Sequence, residues 1–358
     1  MNSRNNCALY SSGTEGVNIK RIIFRFAFAS ACFLAIVILC EVGLRIFAPI
    51  HFVQKIRSAR EYDPEIGIRK RPAMHMFQTT DFQAESIANS IGTTNFADDF
   101  SDYRYLVFAI GDSFTEGSGV PADCSYPFQL DLLLNVDDHG VYHHDYAVVN
   151  LGHSGFGTIQ QLMMLQRFAD RIDEPDFVLL LGCDNDFRDD QVFERGLKHL
   201  SYVTGNPNHS EVAVKAAPLV EDVELVKRYF RLRGLMLKKQ MDNNAEFPND
   251  VCTAERQSEK LTNISEVCDR MNATLIVSWV TDTTKKHSYE WLKGWAVSQR
   301  IGFADYRPGT MELLSSKPRL EMKNHHSTRH FRSWVNNAIA RAFAEKIKEP
   351  GSHELSTN

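Results

Sequence analysis

The chain has 358 residues, of which 43% are hydrophobic and 24% charged. This composition excludes a disordered, collagen-like or coiled-coil protein. Its 40 lysines and arginines stand against 45 aspartates and glutamates, which gives a net charge of -5. Because no overall positive field exists to hold phosphates, binding of nucleic acid is disfavoured. The seven cysteines include no Cys-x-x-Cys pair, which argues against a zinc ribbon or a thioredoxin-like motif.

An apolar run spans residues 22–40. As a helix rising ~1.5 Å per residue, it is long enough to cross a hydrocarbon core of ~30 Å. We predict that this run is a single-pass membrane anchor in contact with lipid, because the apolar region of a cleaved signal peptide would be shorter and end in small residues. Cations before the run favour a cytoplasmic N-terminus and a C-terminal domain outside the cytoplasm, although cations also follow it. They are Lys20, Arg21 and Arg25 at its start and Arg45, Lys55, Arg57 and Arg60 after its end.

Changes in composition along the chain predict five parts. They are a polar tail (1–19), the transmembrane anchor (20–42), an irregular tether (43–99), a globular domain (100–347) and a second tail (348–358). Within the domain, residues 187–250 form a charge-rich insertion without a clear strand. The catalytic or binding chemistry is therefore expected between the tether and the second tail.

Short apolar runs alternate with helical patterns after residue 103. The runs are YLVFAI (105–110), YAVVN (146–150), FVLLLG (177–182) and ATLIVSWV (273–280). Apolar residues recur at spacings of three and four in residues 158–172, 259–271 and 331–347. This alternation predicts a parallel α/β sheet flanked by helices whose apolar stripes lie in the core.

Polar motifs that contain glycine follow three of the predicted strands. They are GDSFTEG (111–117), LGHSGFG (151–157) and CDNDF (183–187). Because ligands bind outside the carboxyl ends of the strands in open α/β sheets, these motifs are expected at one edge. Ser113 suits a nucleophile, and the N–H of Gly155 and the amide of Asn185 suit donors to a developing oxyanion. Gly-Asp-Ser alone would be an ordinary capped turn, but the coincidence of three motifs favours a catalytic site.

These motifs resemble the signature blocks of the GDSL, or SGNH, hydrolases. The matching segments are Gly111 to Gly117, Gly119 to Pro121, Tyr126-Pro127, Asn150 to Gly152, Gly155 to Thr158 and Asn185 to Asp189. The resemblance covers roughly residues 100–345, and the anchor followed by Glu41 to Arg45 is similar to a membrane-anchored bacterial branch. It implies a flavodoxin-like, three-layer α/β/α fold without a cofactor or a metal ion. Ser113 would be the nucleophile, and its N–H would form the oxyanion hole with Gly155 and Asn185.

The fourth signature of the family is a histidine before the final helix, with an aspartate two or three residues earlier. The corresponding segment here is Glu321-Met322-Lys323-Asn324-His325-His326-Ser327. The serine two residues after His325 favours His325 as the general base, with His326 as the alternative, whereas His330 stands where a glycine is common. Since no aspartate holds the expected position, Glu321, an asparagine amide or a backbone carbonyl would have to orient the ring.

The leading interpretation is a membrane-tethered serine esterase or deacylase that acts on a small-molecule, glycan or lipid ester. Transfer of the acyl group to an envelope glycan uses the same site and differs only in the exclusion of water. A catalytically degenerate SGNH fold that serves as a binding protein is the non-enzymatic alternative. The nucleophile elbow of an α/β-hydrolase is disfavoured, because Phe156 stands where G-x-S-x-G requires glycine. The oligomeric state is left open.

Overall fold

A computed structural model describes residues 19–47, 60–78, 83–194, 252–281, 287–317, 319–324 and 330–349. The strands in these ranges are β1 Arg60–Asp63, β2 Gly67–Lys70, β3 Ala73–Gln78, β4 Gln83–Ala88, β5 Tyr105–Gly111, β6 Tyr146–Asn150, β7 Phe177–Gly182, β8 Thr274–Trp279 and β9 Gly302–Phe303. The helices are α1 Ile19–Phe47, α2 Ser113–Glu116, α3 Tyr126–Asn135, α4 Thr158–Arg171, α5 Asp186–Glu194, α6 Thr253–Arg256, α7 Ser258–Arg270, α8 His287–Gln299, α9 Arg307–Ser316 and α10 Ser333–Ile347.

Helix α1 contains the predicted anchor. It is long and apolar enough, by length and composition, to cross a membrane. Near its C-terminal end Arg45 donates to Glu41 at 2.7 Å, one helical turn away. Such a pair is favourable at this spacing and lies beyond the apolar run of residues 22–40.

A five-stranded parallel sheet is the framework on which the predicted motifs are placed. Its strand order is β6-β5-β7-β8-β9, with every neighbouring pair parallel. Counted along the chain, this is the order 2-1-3-4-5 of flavodoxin-like folds. The predicted fold class is confirmed, and the four apolar runs identified in the sequence form β5 to β8.

Helices cover this sheet in two groups. Helix α3 packs against β6 and α10, whereas α4 packs against β5 and α7. Because both faces are covered, the strands are buried almost continuously, and every residue of β7 is buried. Most residues of the apolar stripes predicted as core are buried too: Leu165, Phe168, Leu261, Ile264, Val267, Val335, Ile339 and Phe343. The other members are partly buried against the core: Leu162, Ile172, Met271, Trp334 and Ala338.

The segment before the sheet, predicted to be an irregular tether, contains two antiparallel hairpins. Strand β1 pairs with β2, and β3 pairs with β4. The first hairpin buries Ile66 and Ile68 but also the charged Lys70 and Asp63, which obscures the alternation that reveals a strand. Arg167 of α4 donates to both carboxylate oxygens of Asp63 at 2.8 and 3.1 Å, so the hairpin is fixed to the domain.

The predicted insertion begins with helix α5. Asp186 and Asp190 of this helix are buried. Residues 195–251 lie outside the described residues, as do most of the two predicted tails. The predicted domain boundaries therefore stay predictions.

Candidate active site

Ser113 is the first residue of helix α2, directly beyond the carboxyl end of β5. The Oδ1 atom of Asp112 accepts a hydrogen bond from the N–H of Phe114 at 2.9 Å and caps the helix. This cap holds the turn that presents Ser113 at the edge of the sheet. Since β5 lies between β6 and β7, Ser113 stands at the point where the strand order reverses, the usual ligand site of such sheets.

His330 lies against this serine. Its Nε2 atom is 2.6 Å from Ser113 Oγ, and its ring packs on Phe114 with 4.9 Å between ring centroids. The N–H of Asn324 donates to the carbonyl oxygen of His330 at 2.9 Å. The backbone therefore closes on itself just before α10 and holds the imidazole at the nucleophile.

The imidazole of His330 is in the form that a general base requires. Burial lowers the pKa of His330 to about 4, although the negative charge of Glu116 acts in the opposite direction. At pH 7 the ring is therefore neutral, and in the Nδ1–H tautomer its Nε2 can accept a hydrogen bond from the Ser113 hydroxyl. A hydroxyl and a neutral imidazole at this distance can act as nucleophile and general base.

Asn185, the predicted amide donor, reaches Ser113 through Asp112. The Oδ2 atom of Asp112 accepts a hydrogen bond from Asn185 Nδ2 at 3.1 Å and lies 3.2 Å from Ser113 Oγ, whose single proton it can accept in place of His330 Nε2. The second amide hydrogen of Asn185 goes to Asp189 at 2.9 Å. Burial raises the pKa of Asp112 to about 6. To donate to an oxyanion, Asn185 must exchange one of these two bonds.

Gly155 is the exposed residue of the otherwise largely buried loop that follows β6. Its φ of +82° is in the left-handed region, and an added Cβ would meet no atom within 4 Å. The same loop approaches α2 so closely that a Cβ on Gly152 would collide with the backbone nitrogen of Glu116. Glycine at 152 therefore permits the second motif to lie beside the first, whereas glycine at 155 permits the left-handed backbone.

The remaining predicted residues belong to the segment of the sequence that precedes the final helix. The carboxylate of Glu321 is exposed and accepts a hydrogen bond from Arg332 at 2.5 Å. His325 and His326 lie outside the described residues, so their assignment stays a prediction. The sequence favours His325 over His330, because a glycine is common at the position of His330 in the family that the motifs resemble. A histidine three residues before α10 was the signal that could have identified it.

The site lies at the carboxyl edge of a parallel α/β sheet and pairs a serine with a neutral histidine, two groups that can act as nucleophile and general base. No family model and no curated protein matches the sequence. Solved structures are similar to this chain in fold, and the names of some of them include the G-D-S-L family.

One of them is a lipolytic protein of the G-D-S-L family from Veillonella parvula, with 12% identity over 68% of this chain and 98% of that chain and a TM-score of 0.39. Another is an esterase from Pseudoalteromonas, with 12% identity over 68% and 97% and a TM-score of 0.40. An acetylxylan esterase from Geobacillus stearothermophilus has 14% identity over 68% and 94% and a TM-score of 0.38. Similarity at this level does not identify what this chain binds or converts.

Proposed function

We propose that this protein is a serine hydrolase of ester bonds in which Ser113 is the nucleophile and His330 the general base. The observation that carries the proposal is the 2.6 Å contact between Ser113 Oγ and His330 Nε2. Ser113 Oγ attacks the ester carbonyl while Nε2 takes its proton. The protonated ring then gives this proton to the departing alcohol, which leaves an acyl group on Ser113. Water, deprotonated by the same ring, releases the acid.

The tetrahedral intermediate needs hydrogen-bond donors for its oxyanion. The backbone N–H groups of Ser113 and Gly155 and the amide of Asn185 are the proposed donors. Loss of one donor in such a hole typically costs ~10²- to 10³-fold in kcat. Asn185 already shares an acceptor with Ser113 on Asp112, so it lies in the same hydrogen-bonded group as the nucleophile.

We propose in addition that α1 anchors the chain in a membrane and that the α/β domain lies outside the cytoplasm. The length and apolar composition of α1 support the membrane anchor. The cations at its start support the orientation. A reporter that is active only in the cytosol, fused after Asn358, should remain silent. A periplasm-active reporter at the same position should give signal, and the reverse pattern would contradict the orientation.

The serine assignment is tested by covalent labelling with a fluorophosphonate probe and by turnover of p-nitrophenyl acetate. Wild type should show both, and Ser113→Ala should abolish both. Ser298→Ala is the matched control, because Ser298 is an exposed serine of α8 whose hydroxyl donates to its own helix at Trp295. If wild type shows neither labelling nor turnover on any ester tested, the hydrolase proposal is wrong and the binding-protein alternative is favoured. Recovery of acylated glycan rather than free acid would identify acyl transfer.

A further inference from the structure

A buried ion pair lies beside the loop that carries Gly155. Lys70, at the end of β2, is 5% exposed, and its Nζ atom is 3.7 Å from Oε1 of Glu116. Glu116 is three residues after the nucleophile and also faces Arg60 of β1, whose Nη2 is 3.6 Å from its Oε2 atom. The first hairpin thus inserts a cation next to the helix of the nucleophile.

Both members of this pair bind the loop after β6. Lys70 Nζ donates to the carbonyl oxygen of Gly152 at 2.6 Å and to the hydroxyl of Thr94. Glu116 Oε2 accepts a hydrogen bond from the N–H of Ser154 at 2.7 Å and another from the Ser154 hydroxyl. Since Gly155 is the next residue, the loop is held immediately before the proposed oxyanion donor.

Stability alone is a weak reason for such an arrangement. Removing two charges from water costs several kcal/mol per ion in proteins, and the attraction between them often does no more than offset this cost. A buried ion pair is better explained where it fixes geometry. Here the geometry is that of residues 152–155, which lie in a loop with an exposed glycine.

We propose that Glu116 and Lys70 are positioning residues of the active site, which hold residues 152–155 so that the Gly155 N–H meets the oxyanion of the tetrahedral intermediate. The inference rests on the proposed hydrolase function of Ser113. It adds residues that touch neither the substrate nor the reacting atoms, and one of them comes from the hairpin that precedes the α/β sheet.

The charge of Glu116 has a second consequence at His330. The glutamate raises the pKa of this ring, while burial and the charge of Lys323 lower it. Burial outweighs this attraction, so the ring stays neutral at pH 7.

The pH dependence of kcat distinguishes a positioning role of Lys70 from a purely structural one, because it reports the titration of this side chain. Burial lowers the pKa of Lys70 to about 8, with Glu116 raising it and Arg60 lowering it. The charged and titratable groups that face it are Glu116 on α2, Arg60 on β1 and His153 in the loop after β6. As pH rises through about 8, Lys70 loses its proton and with it the ionic attraction to Glu116. The kcat of wild type should therefore fall above that pH.

The experiment uses the full chain in detergent with p-nitrophenyl acetate, and Ser113→Ala supplies the background at each pH. Lys70→Met and Glu116→Gln should each lower kcat by ~10- to 100-fold, less than loss of an oxyanion donor, with KM changed by less than ~3-fold. Lys70→Met should also lack the decline above pH 8. Glu61→Gln is the matched control, because Glu61 lies on the same hairpin and forms its ion pairs with Arg69 at 2.6 Å and Arg71 at 3.9 Å. It should retain wild-type kcat.

A double variant separates positioning from folding. Each single variant leaves a charge buried without its partner, which is destabilising, whereas Lys70→Met with Glu116→Gln removes both charges. We expect the double variant to have the melting temperature of wild type but a low kcat. If it has both the melting temperature and the kcat of wild type, the positioning role is wrong and the hydrolase function stands. The same conclusion follows if the single variants turn over like wild type while Ser113→Ala is inactive. If wild type shows no Ser113-dependent turnover or labelling, both are wrong.

Discussion

His330 Nε2 and Ser113 Oγ lie 2.6 Å apart although 217 positions separate these residues in the sequence. Ser113 follows β5, which lies between β6 and β7, whereas His330 immediately precedes Phe331, the bridge partner of Lys323, and the final helix. The contact therefore depends on the sheet and on the packing of α10 against α3. This packing stacks the buried rings of Tyr126 and Phe343 with 5.4 Å between their centroids. Variants of the two residues should behave alike because they act as one unit.

We expect His330→Ala to lower kcat by ~10²- to 10⁴-fold, since it removes the base that takes the Ser113 proton. His325→Ala and His326→Ala should cost far less, and all three are compared by turnover of p-nitrophenyl acetate at pH 7. A large loss in His325→Ala with little change in His330→Ala would restore the assignment made from the sequence. Circular dichroism of each variant serves as the control for folding.

The pH profile should report the buried state of His330. The base must be unprotonated, so kcat/KM should fall as the pH drops through about 4, the value to which burial lowers the pKa of this ring. Asp112, with a pKa of about 6, is a second group that titrates nearby. In Asp112→Asn, any change near pH 6 should disappear and the fall near pH 4 should remain. A single fall near pH 6.5, typical of an exposed histidine, would contradict the buried base.

Gly155→Ala should reduce activity more than stability. The methyl group has space, but the φ of +82° disfavours it, and such a change typically costs ~1 kcal/mol. Gly140→Ala is a close control, because Gly140 has a φ of +78°, an open Cβ direction and a place in a turn away from the site. Both variants should melt at similar temperatures, whereas only Gly155→Ala should lose kcat. Equal kcat in the two would remove Gly155 from the oxyanion hole.

A chain that begins at Ser58 should be soluble and folded. It lacks the apolar surface of α1 but keeps both hairpins, including Arg60 and Lys70. Fractionation after a high-salt wash tests this, with the full chain as the membrane-bound reference. Sedimentation of the shortened chain with membranes would show a second site of membrane contact.

The parallel sheet could be predicted because its strands are nearly continuous apolar runs. Strands β5 to β8 have predicted and observed bounds that differ by a residue at most. Strand β9 has only two residues, Gly302 and Phe303, too few to show any periodicity. The first hairpin was missed for a different reason: Lys70 and Asp63 are buried through ion pairs, so charge there did not indicate exposure.

Three predicted site residues lie on motifs that directly follow strands, where sequence order and spatial position coincide. Ser113, Gly155 and Asn185 could therefore be selected from the sequence, and their roles stay proposals. The contact of His330 with Ser113 could not be selected in this way, because 217 positions separate the two residues in the sequence. The partnership of Lys70 with Glu116 likewise joins elements that no local pattern connects.

The neighbouring strands β7 and β8 are joined by a connection that runs from Gly182 to Thr274 and contains the predicted insertion. Parallel strands require a crossover connection, and α7, which packs against β8 and α4, provides it here. The pairing of β7 with β8 therefore depends on this one helix, so a change in the length of the connection that leaves α7 in place keeps the crossover that the pairing requires.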